Sequence, residues 1–221
     1  MQREIITTAD GSKTIQIVDW NEQYHSVHGA IQEAMHIYIT AGLLSIKKQN
    51  ISILEMGFGT GLNCFLTLEQ ALKNKLNINY TGIEAYPVTN LEHKALGYAA
   101  VMDTSITNYL SAIETCNWND TIAIHPSFLL HKVHASFEAW LAPANTYDLI
   151  YFDAFSPNLQ PELWTTDMFN KMFRVLKPNG VLITYCAKGQ VKRNLKETGF
   201  TIESLPGPVG KREITRAHKQ A

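Results

Sequence analysis

The sequence predicts an α/β fold, a mostly parallel, doubly wound sheet of seven strands with an antiparallel last strand. Three observations predict it. From Ile51 onward, short β-rich segments alternate with helical patterns, as βαβ units do. The first strand runs into a glycine-rich turn and a helix start, Glu55-Met56-Gly57-Phe58-Gly59-Thr60-Gly61-Leu62-Asn63. The chain closes with two strands joined by Leu205-Pro206-Gly207-Pro208-Val209-Gly210, a rigid turn.

Taken in order, strands are expected at 51–56, 78–84, 128–135, 147–153 and 181–185, with the closing pair at 200–204 and 212–218. Helical spacing fills 62–74, 88–100 and 161–176, and 177–180 (Lys-Pro-Asn-Gly) reads as a turn. A last helix over 190–198 stops at Gly199. Residues 1–50 read differently, with a β-hairpin over 5–18 turning at Asp10-Gly11 and an amphipathic helix over 30–44. They are expected as an N-terminal extension packed on a core domain spanning 51–221. By analogy of pattern, that core is the class I S-adenosylmethionine-dependent methyltransferase variant of the Rossmann-like fold.

With 221 residues, 45% apolar and 18% charged, the chain suits one globular domain. No segment approaches the roughly 20 uncharged apolar residues of a membrane span, and the start of the chain is polar, so a soluble cytoplasmic protein is expected. Cys64, Cys116 and Cys186 form no C-x-x-C pair, which argues against a disulfide framework or a zinc site. Charge is uneven. Residues 1–170 hold 8 Lys and Arg against 17 Asp and Glu, whereas residues 171–221 hold 11 against 3, a net +8. Such a tail suits a polyanionic partner, or equally a solvated lysine-rich helix face.

The glycine loop carries the cofactor chemistry. Glycines at 57, 59 and 61 let backbone approach a ligand closely, with Phe58 and Asn63 as neighbouring contacts. A dinucleotide site uses G-x-G-x-x-G to seat a pyrophosphate. Here G-x-G-x-G follows Glu55 by two residues, which suits a cationic, phosphate-free ligand such as S-adenosylmethionine. Glu55 can order the loop or attract the aminoacyl end. Glu84 ends the second strand, where a carboxylate can take both ribose hydroxyls. At the end of the third strand Ser136 stands where this superfamily often has an acid facing adenine.

The fourth strand delivers Asp153-Ala154-Phe155-Ser156-Pro157 to the carboxyl edge of the sheet, where ligands of open parallel sheets bind. The segment resembles the [DN]-P-P-[FY] element of amino-group methyltransferases, so Asp153 is the candidate catalytic acid, placed also against the cofactor; a loop-ordering N-cap is the plain alternative. The chain as a whole resembles the methyltransferase domain of the MnmC family of bifunctional tRNA-modifying enzymes. The match runs through 24–33, the glycine loop, 151–157 continuing to Pro161-Glu162-Leu163-Trp164, 176–182, 184–187 and the terminal Gly210-Lys211-Arg212-Glu213. The resemblance implies methylation of the primary amine of 5-aminomethyl(-2-thio)uridine in tRNA, without the flavin-dependent oxidase domain, so no FAD is expected. On that basis Phe155 is expected near the flipped base and Lys211 with Arg212 on RNA phosphate, while Glu33 is a candidate contact to the methionine amine. Lys188 and Arg193 are solvated or RNA-facing. His25, His28 and His36 fit no zinc helix motif, and no metal is expected. A small-molecule or protein amine as acceptor, and a noncatalytic cofactor-binding RNA module, remain as alternatives; the oligomeric state is not legible.

Overall fold

The computed structural model describes residues 2–221. It opens with an antiparallel three-stranded sheet, β1 (Arg3–Thr7), β2 (Lys13–Ile17) and β3 (Glu22–Gln23). Asp10 and Gly11 make the β1–β2 turn, with Gly11 at φ +83 and the Asp10 carboxylate accepting the Ser12 N–H. A short helix, α1 (Ala30–Ala34), passes directly into a π-helical stretch, Met35–Thr40, so the single α-helix expected over 30–44 is not formed. At the far end Gly42 packs so closely that a Cβ there would stand 2.3 Å from the Tyr38 carbonyl oxygen. Widened π turns are frequent at functional sites. This one carries Tyr38.

The main sheet then builds from β4 (Asn50–Met56), α2 (Leu62–Asn74), β5 (Asn77–Glu84), α3 (Asn90–Leu96), α4 (Thr107–Thr115), β6 (Thr121–His125) and β7 (Phe128–His134). It continues with β8 (Tyr147–Phe152), α5 (Thr166–Val175), β9 (Leu176–Thr184), α6 (Gly189–Glu197), β10 (Thr201–Pro206) and β11 (Glu213–His218). Strand order is β10-β11-β9-β8-β4-β5-β7-β6. The strands β4, β5, β7, β8 and β9 run parallel, while β11 inserts antiparallel between β9 and β10. The architecture is the class I methyltransferase form of the doubly wound sheet.

The sheet has eight strands where seven were expected. The additional one, β6, is a short antiparallel edge that turns back into β7 through Pro126 and Ser127. Two other expectations change. Residues 177–180 are a bulge inside β9 rather than a turn before it, with Asn179 at φ +62 absorbing the irregular register against β8. The helix expected over 161–176 breaks at Thr165, whose hydroxyl caps the α5 N-terminus by accepting the Met168 N–H; a 3₁₀ turn, Pro161–Trp164, precedes it.

Apolar side chains fill both faces of the sheet. Every residue of β8 is buried, and its side chains alternate between the two cores: Leu149 and Tyr151 join one, Ile150 and Phe152 the other. A strand buried on both faces reads as the continuous apolar run seen in the sequence. Because β4 lies between β5 and β8, connections leave it in opposite directions, and a crevice opens beyond the carboxyl ends of β4 and β8. The glycine loop follows β4 and Asp153 follows β8, so both are delivered to that crevice.

Gly82 in β5 shows how tightly the loop is seated. A Cβ there would lie 2.2 Å from Phe58 Cδ2, so the ring covers bare backbone. Gly82→Ala is expected to push Phe58 aside and cost about 1–3 kcal/mol. Denaturant unfolding reads this, and an unchanged midpoint would contradict it.

Candidate active site

The crevice is a cavity of about 460 Å³, within the usual range for small-molecule sites. Its floor is the glycine loop. Gly57, Gly59 and Gly61 have φ +97, +50 and +78, and a Cβ on Gly57 would meet the Asp153 carbonyl oxygen at 2.4 Å. The loop therefore cannot take a side chain at 57 without separating β4 from β8. Gly57, Phe58, Gly59 and Asn63 line the cavity, whereas Gly61 sits behind them as the N-cap of α2.

Glu84, at the end of β5, lines the same wall. Its Oε2 accepts the Gly59 N–H at 2.9 Å and its Oε1 accepts the Tyr86 N–H at 2.8 Å. Carboxylate oxygens have further lone pairs, so Glu84 can hold the loop and still accept hydroxyl donors from a ribose. Ser136 and Phe137 line the cavity after β7. The Ser136 hydroxyl accepts the Ala139 N–H at 3.3 Å.

Asp153 marks the opposite end. Its Oδ1 accepts from the Tyr38 hydroxyl at 2.6 Å and its Oδ2 from Asn63 Nδ2 at 2.9 Å. Burial raises its pKa, and the Tyr38 and Asn63 hydrogen bonds offset part of that rise, with Glu33 raising it further and Lys211 lowering it, to about 6. An acid so tuned is mostly ionised at neutral pH and gains its proton as the pH falls through about 6. Beside it Phe155 meets Tyr24 edge-on at 5.1 Å and Trp20 at 5.5 Å between ring centroids. Trp164 Nε1 donates to the Phe155 carbonyl and the Tyr185 hydroxyl to the Ala154 carbonyl, fixing the loop from behind.

Two sequence expectations are corrected. Glu55 does not face the cavity: it is 0% exposed, with Oε1 accepting from Asn63 and Oε2 from the Tyr80 hydroxyl. It cannot attract an aminoacyl group directly. Lys211 does not face outward toward RNA. Its ammonium lines the cavity, 2.6 Å from Glu33 Oε1 and 4.2 Å from the centre of the Tyr185 ring. Glu33 Oε2 in turn accepts the Ser26 N–H, so this acid fastens the 24–29 segment. Arg212, by contrast, is exposed and off the cavity wall. The histidines diverge: His25 bonds Thr14 and His36 the Pro206 carbonyl.

Sequence reasoning missed Trp20, Tyr38 and Tyr185, all on the cavity wall. Tyr185 lay inside a matching segment and Trp20 four residues ahead of the one at 24–33, which was the available signal; Tyr38 reads as an ordinary core residue of an amphipathic helix.

Charge discriminates among ligands. Glu22, Glu33, Glu84, Glu138, Asp153 and Glu162 line the cavity, and Lys211 is the one Lys or Arg on its wall among the described residues. That potential favours cations and disfavours a pyrophosphate.

A family described as S-adenosyl-L-methionine-dependent methyltransferase matches residues 98–220. The chain belongs to this family. Among curated proteins, this methyltransferase is similar to the tRNA 5-methylaminomethyl-2-thiouridine biosynthesis bifunctional protein MnmC of Magnetococcus marinus, 29% identical and covering 87% of this chain and 30% of that protein. The protein of the same name from Leptospira borgpetersenii is 27% identical, with 88% and 32% covered. The chain thus spans about a third of the length of the curated relatives it matches. In fold it is similar to the crystal structure of MNMC2 from Aquifex aeolicus, with TM-score 0.78, 24% identity, and 100% of this chain and 71% of that one covered. Spermidine synthase from Thermotoga maritima shares the fold at TM-score 0.60 and 12% identity, over 98% and 68%.

The methyltransferase's cavity fits its cofactor: glycine backbone for close approach, Glu84 for the ribose, and an acidic wall for a sulfonium and an α-ammonium. Glu84→Ala removes the hydrogen bonds to the Gly59 and Tyr86 N–H groups and a carboxylate able to accept ribose hydroxyls. Calorimetric titration with S-adenosylhomocysteine is expected to give a Kd raised by at least about tenfold, ~1.4 kcal/mol; an unchanged Kd would place the ribose elsewhere.

Proposed function

We propose that this methyltransferase acts on the primary amine of 5-aminomethyl(-2-thio)uridine at the tRNA wobble position, giving the 5-methylaminomethyl product. The observation that carries the reading is Asp153, a carboxylate with a raised pKa set between the cofactor loop and the aromatic wall of Trp20, Tyr24 and Phe155. The MnmC relatives, named for 5-methylaminomethyl-2-thiouridine biosynthesis in tRNA, support the substrate. A tRNA substrate supports a cytoplasmic location.

When bound, S-adenosylmethionine supplies an electrophilic methyl group whose transfer breaks the C–S bond and needs neither metal nor flavin. What the chain must supply is a neutral, aligned amine in a dry site. An alkylamine in water is protonated, with a pKa of about 10 by analogy with lysine. Asp153, ionised above about pH 6, accepts a hydrogen bond from the nitrogen and aligns the lone pair of the neutral amine, whose proton has gone to solvent. Tyr38 and Asn63 occupy one lone pair on each Asp153 oxygen, so the carboxylate plane is fixed and the remaining lone pairs serve the substrate. The edge-on aromatic cluster offers rings against which an unstacked base can pack, the usual way single nucleotides are held.

Much of the C-terminal positive charge is spent internally. Lys177 pairs with Asp148, Lys192 with Glu213, Arg216 with Glu203 and Lys211 with Glu33, while Lys171 and Lys219 bind backbone carbonyls. Lys188, Arg193 and Arg212 stay exposed. Lys188 reaches Asn158 at 2.6 Å, next to the Phe155 loop, and Arg212 adjoins Lys211 on the cavity wall. We assign these three exposed cations to tRNA phosphate.

Asp153→Asn is expected to lower kcat on tRNA by about 10²- to 10⁴-fold with S-adenosylhomocysteine binding retained. In the wild type, kcat/KM should rise with pH through an acidic limb near 6, because the carboxylate form is the active one. Full activity of the variant would refute the role. Replacing Lys188, Arg193 and Arg212 together by Ala should raise KM for tRNA and flatten its salt dependence by roughly two to three in log–log slope. Cofactor affinity should not change; an unaltered salt slope would move the RNA face elsewhere.

A further inference from the structure

Glu55 stands two residues before the glycine loop, yet it is sealed from the cavity and both its oxygens are taken. Its hydrogen bonds lead toward the reaction zone. Asn63, in the first turn of α2, places Nδ2 2.9 Å from Glu55 Oε1 and 2.9 Å from Asp153 Oδ2, so one amide group spends both its hydrogens on two acids. Asn63 Oδ1 is buried with no hydrogen-bond partner. A core amide kept for packing alone would not leave its oxygen unsatisfied. Turning the amide over would satisfy nothing, because Oδ1 would then face two carboxylate oxygens. The orientation is dictated by the acids on either side of it.

We infer that Glu55 is a positioning residue for the methyl transfer: it locks the Asn63 amide so that Nδ2 points at Asp153 and holds the carboxylate toward the cavity. The inference rests on the proposed role of Asp153 and extends it one shell inward. The path is continuous from β5 to the π-helical stretch. Tyr80 donates to Glu55 at 2.8 Å, Asn63 donates to Glu55 and Asp153, and Tyr38 donates to Asp153 at 2.6 Å. Other groups bear on the two acids. Glu33 from α1 and Lys211 from the loop before β11 act on Asp153, and Tyr185 after β9 feels its charge. Cys64 from α2 and Tyr151 from β8 stand near Glu55. None of them bonds Asn63, so its amide is controlled by Glu55 and Asp153 alone among the described residues. The acid of a glycine loop is here used for catalytic geometry, and cofactor contact is left to Glu84 and the loop backbone.

The test compares Glu55→Met, Glu55→Gln, Asn63→Leu and the double variant Glu55→Met/Asn63→Leu, each checked for folding by thermal melting. Glu55→Met and Asn63→Leu are each expected to lower kcat by about tenfold, with KM for tRNA held, because the acid loses its support. The double variant should fall no further than either single one, the mark of two residues acting through one contact. Glu55→Gln keeps an acceptor for Asn63 and should restore kcat to within about twofold of wild type. S-adenosylhomocysteine affinity should hold in the Glu55 variants. Additive losses, a Glu55→Gln as impaired as Glu55→Met, or a Glu55→Met that loses the cofactor with kcat unmoved would each overturn the inference. Should Glu55→Met fail to fold, Glu55→Gln against wild type decides, a tenfold loss overturning it.

Carbon-13 NMR titration of Asp153 in the substrate-free protein separates this inference from the substrate reading. Asn63→Leu removes a bond to the carboxylate form and should move the Asp153 titration to higher pH; no movement would overturn the contact. A moved titration in a protein inactive on tRNA would leave the inference standing and retire the substrate reading.

Discussion

The hydrogen bonds that Tyr38 and Asn63 donate to Asp153 tie together three parts of the chain that lie far apart in sequence. Tyr38 belongs to the N-terminal segment, Asn63 to the helix after the glycine loop, and Asp153 to the end of β8. Each element arrives for its own reason. β8 is buried on both faces and ends at the crevice; α2 starts where three positive-φ glycines turn the chain; the π-helical stretch carries Tyr38 inward against Gly42. The acid is the point at which sheet, loop and N-terminal layer agree on one geometry.

Electrostatics then decides what that geometry serves. An acidic wall with one lysine, itself paired to Glu33, attracts cations, and both a sulfonium cofactor and an ammonium acceptor are cationic. The same field resists losing the substrate's proton. The Asp153 carboxylate, mostly ionised at neutral pH, accepts a hydrogen bond from the nitrogen and so aligns the neutral amine that the transfer needs. The Glu33–Lys211 pair joins the N-terminal segment to the loop before β11, so the cavity is walled by both ends of the chain.

How much of this was legible in the sequence depends on the range of the interaction. The βαβ alternation, the glycine loop, Glu84 and Asp153 were readable because strand ends and turn chemistry are local signals. The edge strand β6 was not, since only the antiparallel pairing of Thr121 to His125 with β7 makes that segment a strand. The 177–180 bulge looked like a turn because Pro-Asn-Gly is turn chemistry, and only pairing with β8 keeps it in the sheet. Lys211 and Glu33 lie 178 positions apart, and no pattern along the chain announces that they meet. Glu55 was assigned to the cofactor from its place in the motif; its burial and its Tyr80 and Asn63 partners give it another task.

The most direct measurement is nucleoside mass spectrometry on tRNA carrying 5-aminomethyl-2-thiouridine after incubation with the purified protein and methyl-labelled S-adenosylmethionine. One labelled methyl group is expected on the exocyclic amine of the wobble nucleoside. Label absent from that nucleoside, or found on a ring atom, would contradict it.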